Sequence, residues 1–177
     1  MDAMMKKTLM IMMLLCLAQI AVAQADRVYI EDFEISHDSV VAVPVMLDCP
    51  QQTRGIQFDM ALPQGLEMED MELSDHSDNL GMRLSNRRLN GSNTHAIVLY
   101  PLKESFFQSD TSVVVMYISF KAHKGFKGGT ISLSRIRGST LSNQSIKMND
   151  ASTTVTLLPN TLMRRQQDDD VQDQFFN

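Results

Sequence analysis

The 177-residue chain contains no tryptophan, two cysteines and only 6% aromatic residues, and its formal net charge is −5. Each shortage excludes something. Cys16 falls in an apolar leader, which leaves Cys49 as the one thiol of the processed chain. A single thiol can form neither an intramolecular disulfide nor a cysteine metal site, so the fold must be held by its core. No Gly-x-Ser-x-Gly elbow occurs, and His37, His76, His95 and His123 fall in or near turn-rich stretches, where they read as solvent-exposed side chains rather than as members of a catalytic triad. Basic runs are missing too, apart from the pairs Arg87-Arg88 and Arg164-Arg165. That argues against nucleic acid and anionic membranes as partners.

The apolar residues that are present divide the chain into three parts. Residues 1–25 read as an export signal: Lys6 and Lys7 form a positive start, Leu9 to Ile20 is apolar, and Ala21-Val-Ala23 or Ala23-Gln-Ala25 supplies small residues for cleavage. The apolar run is short for a bilayer span, which needs roughly 20 residues, and Leu15 before Cys16 disfavours a lipid anchor. Export places the chain in the periplasm, at the cell surface or outside the cell, with no membrane insertion after cleavage. Losing Lys6, Lys7 and Asp2 leaves 14 basic and 20 acidic side chains, a net charge near −6. Residues 26–159 read as one domain, and residues 160–177, with Asp168-Asp-Asp170 and a terminal Phe175-Phe176, as a polar tail with little to bury.

Within the domain, alternation of period two dominates. In Arg54 to Glu67, Ile56, Phe58, Met60 and Leu62 share one face while Gln57, Asp59 and Ala61 share the other, the pattern of a strand with one buried side. Pro63 and Gly65 suit the second and fourth positions of a type I turn, which predicts a hairpin into Leu66-Glu-Met-Glu69. Val28 to Ile35 is expected to be one strand with a bulge at Glu31-Asp32. Val41, Val43, Val45 and Leu47 share a face of the next strand. Pro44 in that strand implies an edge, or bonding on one side only at that point, and Asp48 to Thr53 reads as a polar loop. Asn90-Gly91 marks a tight turn between Met82-Arg-Leu84 and Ala96 to Tyr100. In the strong strand Val113 to Ala122, Val114, Met116, Ile118, Phe120 and Ala122 are expected inward and Val115 outward. Phe106-Phe107 falls in an irregular segment. Thr130 to Leu133 with Ile136, and Thr153 to Leu158, complete eight or nine strands with no sustained helical period, an all-β sandwich.

The order in which these segments occur is itself informative. A Val-rich strand, a polar loop and Gly55-Ile-Gln-Phe-Asp-Met-Ala-Leu-Pro-Gln-Gly-Leu-Glu67 are followed by Val115-Met-Tyr-Ile-Ser-Phe-Lys-Ala122 and Gly125-Phe-Lys-Gly-Gly-Thr-Ile-Ser-Leu133. This resembles the cohesin-like domains of the bacterial carbohydrate-binding superfamily, in particular small secreted proteins of Bacteroidetes, over roughly Val28 to Leu158. The resemblance implies a nine-stranded jelly-roll sandwich that is not an enzyme and needs no cofactor. It would bind a polysaccharide, or a dockerin-like or other surface protein, within polysaccharide breakdown; a structural subunit of a surface complex is the alternative. Without tryptophan, a flat aromatic platform for crystalline polysaccharide is not available.

Candidate sites follow from the alternation. With Ile56, Phe58 and Met60 inward, Gln57 and Asp59 lie on the outer face of their sheet, and Tyr100 joins them if Ile97 and Leu99 are inward. Arg83, Arg87 and His95 are expected in the same region. These six residues form the predicted partner-binding set. Glu67, Glu69, Asp70 and Glu72 read as the wet face of a strand. Asp75, Ser77 and Asn79 alternate like the first ligands of a calcium loop, but Leu80 replaces the required glycine, so the stretch reads as an ordinary polar loop.

Overall fold

The period-two segments form eleven strands and one short helix in the computed structural model, which describes residues 26–159; the predicted leader and tail lie outside the described residues. The strands are β1 (Arg27–Ile30), β2 (Phe33–Ile35), β3 (Val40–Thr53), β4 (Gly55–Ala61), β5 (Leu66–Leu73), β6 (Met82–Arg88), β7 (Thr94–Pro101), β8 (Phe107–Ala122), β9 (Gly129–Ser139), β10 (Ser145–Lys147) and β11 (Ala151–Leu157), with α1 (Asp75–Asn79) between β5 and β6. One sheet has the order β1-β3-β8-β5, the other β2-β11-β9-β4-β7-β6 with β10 added on β9. The pairings are antiparallel except β2 with β11, which run parallel. The fold is an all-β sandwich. Its strand count exceeds the expected eight or nine because the first segment splits in two and β10 is a three-residue addition.

Alternate side chains of both sheets meet in one core. Val43, Val45, Leu47, Met116, Ile118 and Phe120 come from one layer and Ile56, Phe58, Met60, Ile97, Leu99, Ile131 and Leu133 from the other, all buried. Burying each such side chain is worth about 1.5–3 kcal/mol, so the core can carry the fold without cross-links. Cys49 is buried within it, where loss of solvation raises its thiol pKa to about 11.

Pro44 sits where the sequence allows it. It pairs with Tyr117 of β8, while the pairing of β1 with β3 begins at Ile30 opposite Val45. The strand is bonded on one side only at the proline, which has no N–H to offer.

Several local expectations are corrected. Glu31-Asp32 is not a bulge: β1 belongs to one sheet and β2 to the other, so the slip marks a crossing between layers. Pro63 to Gly65 likewise carries the chain from β4 in one sheet to β5 in the other, not around a hairpin. The turn starts one residue later than expected, with the Leu66 N–H donating to the Pro63 carbonyl at 3.2 Å and Gly65 in third position at φ +84°, a conformation that suits glycine in a type II turn. Asp48 to Thr53 is not a loop, because β3 continues irregularly to Thr53. β8 starts at Phe107, which is buried. A bulge in its pairing with β3 skips Val115, which is fully buried while Val114 is only half-buried, so the inward and outward positions shift by one there. The β6–β7 hairpin forms as expected, with Gly91 at φ +74°.

Ser74 to Asn79, read as a loop, contains helix α1. Its cap is Ser74, whose Oγ accepts from the Ser77 N–H at 3.2 Å. The two buried hydroxyls also donate at 2.6 Å to β8, Ser74 to the Val114 carbonyl and Ser77 to that of Val115. Among the described residues, no helix is long and apolar enough to cross a membrane.

Candidate functional site

The outer face of β9-β4-β7-β6 is set by the inward anchors. Because Ile56, Phe58 and Met60 are buried, Gln57 and Asp59 point away from the core on β4. Because Ile97 and Leu99 are buried, Val98 and Tyr100 point the same way on β7, with 36% and 42% of their surface exposed. The register places these residues beside one another: Gln57 lies opposite Val98, Asp59 opposite Ala96, Arg83 opposite Tyr100 and Arg87 opposite Ala96. Five of the six predicted residues, Gln57, Asp59, Tyr100, Arg83 and Arg87, therefore share one face.

His95 does not join them. It is in phase with Ile97 and Leu99, so it points inward and is buried, with its Nδ1 3.1 Å from Asn86 Oδ1. Burial disfavours the charged ring and lowers its pKa, and the Arg88 cation acts in the same direction.

On the other side of β4, β9 brings two residues that sequence reasoning did not select. Arg137 lies opposite Gln57, and a bulge between the Gln57 and Asp59 pairings inserts an extra residue into β9. Arg135 in this bulge is left-handed, with φ +53°; its N–H donates to Asp150 Oδ1 at 3.1 Å and its guanidinium pairs with Asp59. Gly55, which has no side chain, leaves a shallow depression of about 260 Å³ between Tyr100, Val98 and Arg137. A second depression, about 410 Å³, lies between Arg87, Asp59, Arg135 and Arg137. The strands β4, β6, β7 and β9 hold five arginines and one acid, Asp59. The expectation that arginine is not gathered anywhere beyond sequential pairs is thus corrected: four guanidinium groups from two non-adjacent strands reach one face.

The other candidate chemistry is dispersed. His37 Nε2 is 3.0 Å from the Phe126 carbonyl, the exposed His123 is 2.7 Å from Glu67, and the exposed His76 lies against the Phe107 ring. His123 holds the Glu67 carboxyl below its ordinary pKa, chiefly through this hydrogen bond. Among the described residues, the hydrogen-bond partners of the histidines are a carbonyl, a carboxylate and an amide, with no hydroxyl or thiol positioned as a nucleophile. Glu67, Glu69, Asp70 and Glu72 line the exposed strand β5. Asp75, Ser77 and Asn79 lie on α1, with Ser77 turned into the core, and no cluster of three or more metal-ligating side chains occurs among the described residues.

Solved structures share this fold. A non-cellulosomal cohesin from the archaeon Archaeoglobus fulgidus matches with a TM-score of 0.62 at 14% identity, over 80% of this chain and 97% of that one. A cohesin from Clostridium thermocellum, solved in a type I cohesin–dockerin complex, matches with a TM-score of 0.63 at 12% identity, over 76% of this chain and all of that one. The cohesin module of a family 33 glycoside hydrolase from Clostridium perfringens gives 0.57 at 7% identity, over 76% and 97%. The sandwich is cohesin-like. No protein-family model and no curated protein sequence matches the chain.

Proposed function

We propose that the chain is an exported, non-catalytic protein-binding module whose partner, a dockerin-like or other surface protein, docks on the outer face of β9-β4-β7-β6. The observation that carries this reading is the cohesin-like sandwich together with its composite face. There Val98 and Tyr100 are exposed side by side on a rigid strand, flanked by Gln57 and arginines. Tyrosine and arginine are the residue types that concentrate binding energy at protein interfaces, and side chains on a paired strand are pre-positioned. Polysaccharide breakdown is the setting we assign to the module, with the partner, rather than this chain, in contact with the glycan.

The test is a pull-down from periplasmic and cell-surface extracts using the chain from residue 26 onward. It is repeated with Gln57→Ala/Asp59→Ala and with Val98→Arg, and run beside a glycan array. Loss of a partner with Val98→Arg supports the reading. Unchanged recovery with both variants removes this face, and glycan binding without a protein partner replaces the reading with a carbohydrate one.

A further inference from the structure

The two faces of the sandwich carry opposite charge. Strands β1, β3, β8 and β5 hold five exposed acids, Glu67, Glu69, Asp70, Glu72 and Asp110, besides the buried Asp48 that pairs with Arg27, against two bases. Strands β4, β6, β7 and β9 hold five arginines against Asp59. The chain as a whole is acidic, so the arginines are a local concentration and not a reflection of composition. Three of them, Arg87, Arg135 and Arg137, border one depression of about 410 Å³. Arg135 is paired with Asp59, whereas Arg87 and Arg137 have no acidic partner among the described residues.

Resting on the docking reading above, we infer that this face takes an acidic protein segment, whose carboxylates engage Arg87 and Arg137 while its apolar side chains lie on Val98 and Tyr100. A guanidinium presents its donors as a fork that fits a carboxylate bidentately. Two such groups without a carboxylate, on either side of the β4–β7 pair, form a site complementary to carboxylates spaced along an extended chain. The apolar strip favours a protein over a bare polyanion, because a sulfated glycan or a nucleic acid needs cations but has little use for an aliphatic side chain between them. Asp59 in the centre neutralises Arg135, which leaves Arg87 and Arg137 as the guanidinium groups of this depression open to an incoming carboxylate.

The probe is fluorescein-labelled poly-L-glutamate, read by anisotropy at low salt against the chain from residue 26 onward, with dextran sulfate as competitor. The charge-reversal variant is R87E/R137E. K124E/K127E, on an exposed loop, makes the same net change away from the face. Poly-glutamate should bind the parent, lose at least tenfold in affinity with R87E/R137E, and stay within twofold with K124E/K127E. R87Q/R137Q supplies the same comparison without charge reversal, and thermal unfolding confirms that each variant is folded. Equal loss in both charge-reversal variants would mean that only net charge matters and would overturn the inference. So would no binding by the parent, or tighter binding of dextran sulfate with the same arginine dependence. If the extract pull-down loses its partner with Val98→Arg but keeps it with R87E/R137E, the docking face stands and the acidic partner falls.

Discussion

Gly65 packs backbone to backbone against Phe126: a β-carbon at residue 65 would stand 2.8 Å from the Phe126 nitrogen and 2.9 Å from its α-carbon. The contact locks the crossing from β4 to β5 onto the loop before β9. Asn93 reinforces it, its Nδ2 donating at 3.0 Å to the Leu66 carbonyl. Phe126 is itself buried, so the loop cannot simply retreat. Gly65→Ala meets both this backbone and a φ of +84°. We expect it to destabilise the domain by about 1–3 kcal/mol, seen as a lower urea midpoint at unchanged slope.

A second prediction concerns α1. Ser77 is fully buried and its hydroxyl donates to the Val115 carbonyl at 2.6 Å, at the point where β8 bulges away from β3. The Ser74 N–H also donates to the Val115 carbonyl, at the longer distance of 3.3 Å. Ser77→Ala should therefore cost about 1–2 kcal/mol. Asp75→Ala, at an exposed position on the same helix, should cost distinctly less. Parallel urea unfolding of the two variants checks the order.

These two sites also show what could be read from the residues. The inward sets Ile56-Phe58-Met60 and Val43-Val45-Leu47 were legible because a strand buries every second side chain, and that alternation also placed Gln57, Asp59 and Tyr100 outward. The pair Pro63 and Gly65 signals a reversal but not which sheet receives the returning strand, so a crossing looked like a hairpin. A five-residue helix is too short to display a 3.6-residue period, and its cap at Ser74 looks like loop polarity. His95 was misplaced although Ile97 and Leu99 in phase with it pointed to the core. The arginine face was hidden for a different reason: Arg87 and Arg137 are far apart in the chain, and only the register of β7 and β4 between them brings them together.

The buried His95 gives a pH dependence. Its folded-state pKa lies below its ordinary value of 6.5, mainly because burial disfavours the imidazolium. The unfolded chain therefore binds the proton more readily. The contribution to stability is fully present above about pH 6.5 and is lost as the pH falls through the lower folded value. Chemical denaturation at pH 7.5 and pH 5 should show the native chain losing stability on acidification, with His95→Gln losing less. Identical losses in the two proteins would assign the acid sensitivity to other groups.

Arg135 offers the sharpest separation of fold from recognition. Its φ of +53° costs a side-chain-bearing residue about 1–2 kcal/mol relative to the right-handed region, and glycine nothing comparable. Its guanidinium pairs with Asp59; the arginine side chain is 70% exposed and that of Asp59 13%, so losing the cation leaves a largely buried carboxylate unpaired, a cost common to any truncation of Arg135. Arg135→Ala removes the pair and keeps the strained backbone; Arg135→Gly removes both. We expect the glycine variant to be more stable than the alanine variant by about 1 kcal/mol. Both variants leave Asp59 unpaired beside Arg87 and Arg137, so both should weaken poly-glutamate binding to a similar extent. Equal stability of the two variants would show that the β9 bulge relaxes when the guanidinium is lost, and that its shape depends on the ion pair and not on the strand register.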